Sequence, residues 1–99
     1  MTDPVYFSKP GVVCAAGSSA DALWRSCVTG DQSGIKKIRS LSGKEFFAGR
    51  ADDAVLKKTS ARLDMRSIRI EDAALVQIEQ EIFGALSEYG ASRVAVCVG

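Results

Sequence analysis

The five residues Val94-Ala95-Val96-Cys97-Val98 are apolar at every position. An uninterrupted run of this kind reads as a strand covered on both faces, as in a parallel sheet flanked by helices. Ahead of it, Leu75, Ile78, Ile82, Ala85, Leu86 and Tyr89 recur at helical spacing and form one apolar face. Val76 and Phe83 lie to the side of that face. A helix over 70–89 is therefore expected to be covered on two sides, with Gly90 as its left-handed stop. Strand and helix in this order place the chain in the α/β class. A buried strand normally feeds into a further element, so the sequence is expected to be cut from a longer one.

The other end of the chain repeats the theme. Residues 5–13 mix apolar and polar positions around Pro10-Gly11, which predicts a strand with a kink or bulge near its middle. Cys14-Ala15-Ala16-Gly17 allows a tight turn. Ser18 is then placed to cap a helix, with Asp21 favourable in its first turn. In that helix Ala20, Leu23, Trp24, Cys27 and Val28 make one stripe, expected to face a core, and Gly30 ends it. Asp31-Gln32-Ser33-Gly34 reads as a surface turn. The middle is less patterned: a short strand is expected around Phe46, and a loop with one helical turn around Ala54 to Lys57.

Charge and residue counts restrict the chemistry. Thirteen Lys and Arg against twelve Asp and Glu leave a net charge of +1, which disfavours binding to a phosphate backbone. No apolar run approaches the roughly 20 residues that span a bilayer, and the start lacks a signal-peptide pattern, so a cytoplasmic location is expected. Cys14, Cys27 and Cys97 have none of the spacings of zinc or dithiol sites and are expected to be small buried side chains. Histidine is absent. The commonest general base near neutral pH, and the commonest partner of a Ser or Cys nucleophile, is therefore missing.

Two groups of residues carry a family resemblance. Gly11-Val12-Val13-Cys14-Ala15-Ala16-Gly17, then Ala22-Leu23-Trp24, Gly30 and Ser33-Gly34-Ile35, resemble the opening of β-ketoacyl-[acyl carrier protein] synthases. Glu71-Asp72-Ala73-Ala74-Leu75, Tyr89-Gly90 and Arg93 to Gly99 resemble that family's long helix and next core strand. Phe7-Ser8-Lys9-Pro10 departs from the pattern, since many members have a Thr-Gly pair there.

The resemblance implies the N-terminal part of a thiolase-like fold over residues 1–99, in the order strand, helix, short strand, helix, strand. It also implies an acyltransferase that condenses an acyl thioester with a malonyl unit on an acyl carrier protein, in fatty-acid or polyketide-type biosynthesis. Neither cofactor nor metal is implied, and intact relatives are usually homodimers. The family's acylated Cys and its two His belong to a later region, so this chain is expected to hold no catalytic residue. The alternative is a small non-catalytic α/β binding or scaffold module. That module would unfold cooperatively by itself, whereas a piece of a synthase would self-associate through its unpaired strand.

One basic cluster bears on partners. Arg62, Arg66 and Arg69 share a face if their stretch is helical. Acyl carrier proteins are acidic, and the family docks them on basic residues near this point, which makes Arg62 and Arg66 candidates for carrier recognition. The simpler reading is a solvated charged face, or local pairing with Asp64 or Glu71. Lys36, Lys37 and Arg39 form a second basic group.

Overall fold

The computed structural model describes residues 3–60 and 62–99. It is a mixed α/β arrangement of three helices and one two-stranded antiparallel sheet. Helix α1 spans Ala20–Thr29 and is capped by Ser19, one residue later than expected, whose hydroxyl accepts the Ala22 N–H at 3.1 Å. Asp21 stands in the first turn as anticipated, and Gly30 closes the helix in the left-handed region at φ 69°. Ser26 ties α1 to the preceding turn by donating to the Ala16 carbonyl at 2.5 Å. The helix presents Ala22, Leu23 and Ser26 inward, while Trp24 and Val28 of the apolar stripe stay 70% and 63% exposed.

The sheet is a hairpin of β1, Ile35–Arg39, and β2, Glu45–Gly49. Its register pairs Ile35 with Gly49, Lys37 with Phe47 and Arg39 with Glu45. Gly43, at φ 87°, turns the chain between the strands. The strand expected around Phe46 is present. Its partner β1 falls on residues whose apolar pattern Lys36 and Lys37 interrupt, and the pairing is reinforced by Glu45, which accepts from Lys37 and Arg39 at 2.9 Å each.

A 3₁₀ turn at Asp53–Val55 follows, one residue ahead of the helical turn expected there. The long helix expected over 70–89 is two helices, α2 at Arg66–Val76 and α3 at Glu79–Tyr89. They part where the Gln77 and Ile78 N–H groups bond three residues back, to Ala74 and Leu75, and the helical hydrogen-bond ladder stops. Gly90 has φ 83° and ψ 155°, so it ends α3 as an extended glycine and not as the left-handed cap anticipated.

Neither of the two outer strands forms. Residues 5–13 pair with no strand among the described residues. Residues 11–18 instead form a half-buried linker that makes the expected tight turn at Cys14–Gly17, closed by the reciprocal Cys14 and Gly17 backbone hydrogen bonds. Pro10 lacks an N–H, and the Val12 backbone is bonded to a side chain, which removes two positions from any ladder. Residues 94–98 follow a 3₁₀ turn, Ala91–Arg93, with Val94 in extended conformation, and are likewise unpaired among the described residues. Val96 is 56% and Val98 63% exposed, so this stretch is not the covered strand that its composition predicts.

No described residue is buried. Cys14 is half-buried, while Cys27 and Cys97 are exposed, against the expectation that all three are interior. The accessible surface is 8287 Å², against about 5,400 Å² for a folded monomer of 10.5 kDa. The radius of gyration is 16.9 Å, where a self-contained domain of this length has about 13 Å. The elements are formed, but the surfaces they would bury against one another remain open.

Candidate functional site

Two charged residues of α2 organise the only cluster of interlinked ion pairs among the described residues that brings distant segments together. Arg66, the first residue of the helix, donates through Nη1 to Asp53 Oδ1 and through Nη2 to the Ala51 carbonyl at 3.0 Å. Asp53 also accepts from Arg50 at 3.3 Å. One turn later, Arg69 donates to both oxygens of Asp64, from Nε at 2.8 Å and from Nη2 at 2.6 Å. This two-point fork fixes the guanidinium plane. The Thr59 N–H donates at 3.2 Å to Asp64 Oδ1, the oxygen that also accepts from Arg69 Nε.

The carboxyl groups respond as their donors require. The Arg69 hydrogen bonds hold Asp64 well below the ordinary carboxylate range, with the Thr59 N–H adding to the effect against a smaller opposing cost of desolvation. The same pair pushes the Arg69 guanidinium up. Asp53 is lowered chiefly by its hydrogen bond to Arg66. Asp53, Leu56, Asp64, Arg66 and Arg69 line an open cleft of about 360 Å³. Its charges are satisfied within it, and it contains no nucleophile beside a base. Among the described residues no group of three or more His, Cys, Asp or Glu could hold a metal ion. No helix among them is long and apolar enough to cross a membrane.

The three arginines expected on one face separate. Arg66 and Arg69 lie in the first turns of α2, but Arg62 precedes the helix, because the helix begins only after Met65. Arg62 is exposed and has no ion-pair partner among the described residues. Arg66, with 41% of its side chain exposed, is engaged by Asp53. Of the local pairings considered for this cluster, Asp64 is used, by Arg69, and Glu71 is not.

Sequence reasoning missed Gln77. Its Oε1 accepts the Val12 N–H at 2.9 Å, and its Nε2 donates to the Val12 carbonyl at 2.9 Å and to the Ser18 carbonyl at 2.8 Å. A glutamine amid an apolar helical pattern gives no signal of such a role. Asp53 was missed for a similar reason, since its partner lies thirteen residues away. Comparison with protein-family models, curated proteins and solved structures finds no match to this chain.

Proposed function

We propose that the chain is the leading part of a β-ketoacyl-[acyl carrier protein] synthase, contributing scaffold to a cytoplasmic enzyme that condenses an acyl thioester with a malonyl unit. The observation that carries this reading is the surface: about one and a half times the area of a folded monomer is exposed. Trp24, Val76 and Phe83 are each more than half exposed, on helices that would be covered in a larger fold. The sequence resemblance supplies the enzyme class. The chain has no histidine, so this reading assigns the acyl-transfer chemistry to other residues of the synthase. The rival, a small self-sufficient binding module, needs a core of its own, and the described residues provide none.

Arg62 is then the better of the two candidates for contact with an acidic carrier protein, because its guanidinium is uncommitted among the described residues while that of Arg66 serves Asp53 and Ala51. Complementation tests the reading. A ketosynthase deleted for its corresponding N-terminal segment should regain malonyl-carrier-dependent condensation when residues 1–99 are supplied as a separate chain. No restored activity, together with a cooperative monomeric unfolding transition of the chain by itself, would transfer the assignment to the binding module.

A further inference from the structure

We propose that the β1–β2 hairpin is a membrane-surface contact, whose tip seats Leu41 in the headgroup region of an anionic bilayer while Lys36, Lys37, Arg39 and Lys44 meet the lipid phosphates. The hairpin is held at its base and open at its tip. A Cβ on Gly34 would stand 1.9 Å from the Ala15 carbonyl oxygen, so the base lies directly against the linker. At the tip, nothing lies within 4 Å of the position a Cβ on Gly43 would take. The turn there is closed on itself: the Ser40 N–H donates to the Lys44 carbonyl and the Gly43 N–H to the Ser40 carbonyl, both at 2.9 Å, and the Lys44 N–H donates to Ser40 Oγ at 3.2 Å. Leu41 sits within this turn and is fully exposed. A turn already fixed presents that side chain with little ordering left to lose on binding.

Charge selects the occupant. Residues 35–49 hold four cations, Lys36, Lys37, Arg39 and Lys44, and one carboxylate, Glu45, for a net +3; the rest of a chain whose total is +1 therefore carries −2. The small overall charge conceals this asymmetry. Lys37 and Arg39 share Glu45 at 2.9 Å each, and Lys36 and Lys44 have no ion pair among the described residues. Four exposed cations are costly to cover with protein, which sets this surface apart from the helix faces of Trp24, Val76 and Phe83. The register places Phe47 opposite Lys37, so an exposed ring and a cation share one face of the sheet. Apolar side chains bordered by cations on flexible stems suit the boundary between headgroups and acyl chains. The residue at the tip is aliphatic, which a bilayer accommodates and which offers no ring for a nucleobase to stack on.

This inference rests on the hairpin and not on the synthase reading. It is measured without carrier protein or enzyme, so either proposal can fail while the other stands. The experiment is co-sedimentation of the full chain with vesicles of phosphatidylcholine alone, and with vesicles of phosphatidylcholine and phosphatidylglycerol in equal parts. The chain should sediment with the anionic vesicles only and should be released as salt rises beyond about 0.1 M, where the screening length falls below about 10 Å. Lys36→Gln and Lys44→Gln should each weaken binding about fivefold, and Leu41→Ser about tenfold. Their far-UV circular dichroism should match the wild type, because none of the three side chains is buried or ion-paired among the described residues. Phe83→Ser, which removes an exposed ring from α3, should bind as the wild type does. Leu41→Trp in a Trp24→Phe background should shift its emission to the blue on anionic vesicles.

Equal binding to both kinds of vesicle, or an equal loss in Phe83→Ser and Leu41→Ser, would reveal general apolar adhesion and overturn the proposal. So would an emission maximum that ignores the vesicles, or capture of a single-stranded oligonucleotide in preference to them.

Discussion

Gln77 and Val12, sixty-five residues apart, are joined by a reciprocal pair of hydrogen bonds in which a side-chain amide takes the place of a neighbouring strand. The Val12 N–H meets a carbonyl oxygen and the Val12 C=O meets an N–H, as they would in a β-ladder. Because the second Nε2 hydrogen reaches the Ser18 carbonyl, one side chain holds both ends of the linker that leads into α1. The site lies at the break between α2 and α3. The same residue therefore marks where the helix divides and anchors the segment that crosses it.

Replacing Gln77 should release that linker. Gln77→Ala leaves the part-buried Val12 and Ser18 groups without these partners, at a cost of about 1–3 kcal/mol, and should abolish amide-exchange protection at Val12. Gln77→Glu should be worse at neutral pH, since a carboxylate oxygen would face two carbonyls in place of the donating nitrogen. Facing two carbonyls raises the folded-state pKa of the introduced carboxyl above its unfolded value, so the defect should lessen as pH falls from that raised value toward the ordinary one near about 4.3, because the added proton restores a donor. Equal damage from both variants across that range would show that the amide hydrogens are not what holds the linker.

Two glycines should give opposite results on substitution. A Cβ on Gly11 would stand 1.9 Å from the Ala74 carbonyl oxygen, so Gly11→Ala must push the linker off α2. Gly84 lies within α3 with nothing within 4 Å of the position a Cβ would take, and Gly84→Ala should raise stability by about 0.5–1 kcal/mol through helix propensity. Far-UV circular dichroism during denaturant titration separates the two: Gly11→Ala lowers the midpoint and Gly84→Ala raises it.

Carrier binding, if Arg62 mediates it, should depend on charge at that position. Arg62→Glu should weaken the affinity of an acidic acyl carrier protein for the chain while leaving circular dichroism unchanged, because Arg62 has no ion pair to lose among the described residues. Arg66→Glu would also place a second carboxylate against Asp53, so its effect on binding should be accompanied by loosening of the start of α2. Fluorescence anisotropy of labelled carrier protein reads the first effect and amide exchange at residues 66–69 reads the second. Unchanged affinity in Arg62→Glu removes the docking role.

What could be read from the residues follows the range of the interaction that decides each feature. Helix α1, its glycine stop and the strand around Phe46 were legible because caps, turns and side-chain periodicity act within a few residues. The division at Gln77 was not, since it contains neither glycine nor proline and coincides with bonds to Val12 and Ser18 far away in sequence. Residues 5–13 and 94–98 have strand composition, but a strand needs a partner to bond, and composition cannot supply one. The candidate site was half legible: the basic cluster and the Asp64 pairing were visible, while the onset of α2 after Met65, which parts Arg62 from Arg66, was not.

The link between Asp64 and Arg69 sets how the chain responds to acid. Asp64 is held below its ordinary value of 3.8 by Arg69 and Thr59, so in the folded chain it binds its proton only at lower pH than in the unfolded chain. Its contribution to stability is therefore fully present above that ordinary value and is lost as pH falls below it, toward the depressed folded value. Glu45 behaves in the same sense through Lys37 and Arg39, from an ordinary value of 4.5. No histidine titrates in the interval of about pH 5 to 8, so helix and hairpin content should be flat there. Below about pH 4 the wild-type chain should lose structure, and Asp64→Asn should start less stable but lose less on further acidification, because the group that titrates is gone. Parallel acid curves for wild type and Asp64→Asn, followed by far-UV circular dichroism, would mean that the arginine fork at the start of α2 does not couple to folding.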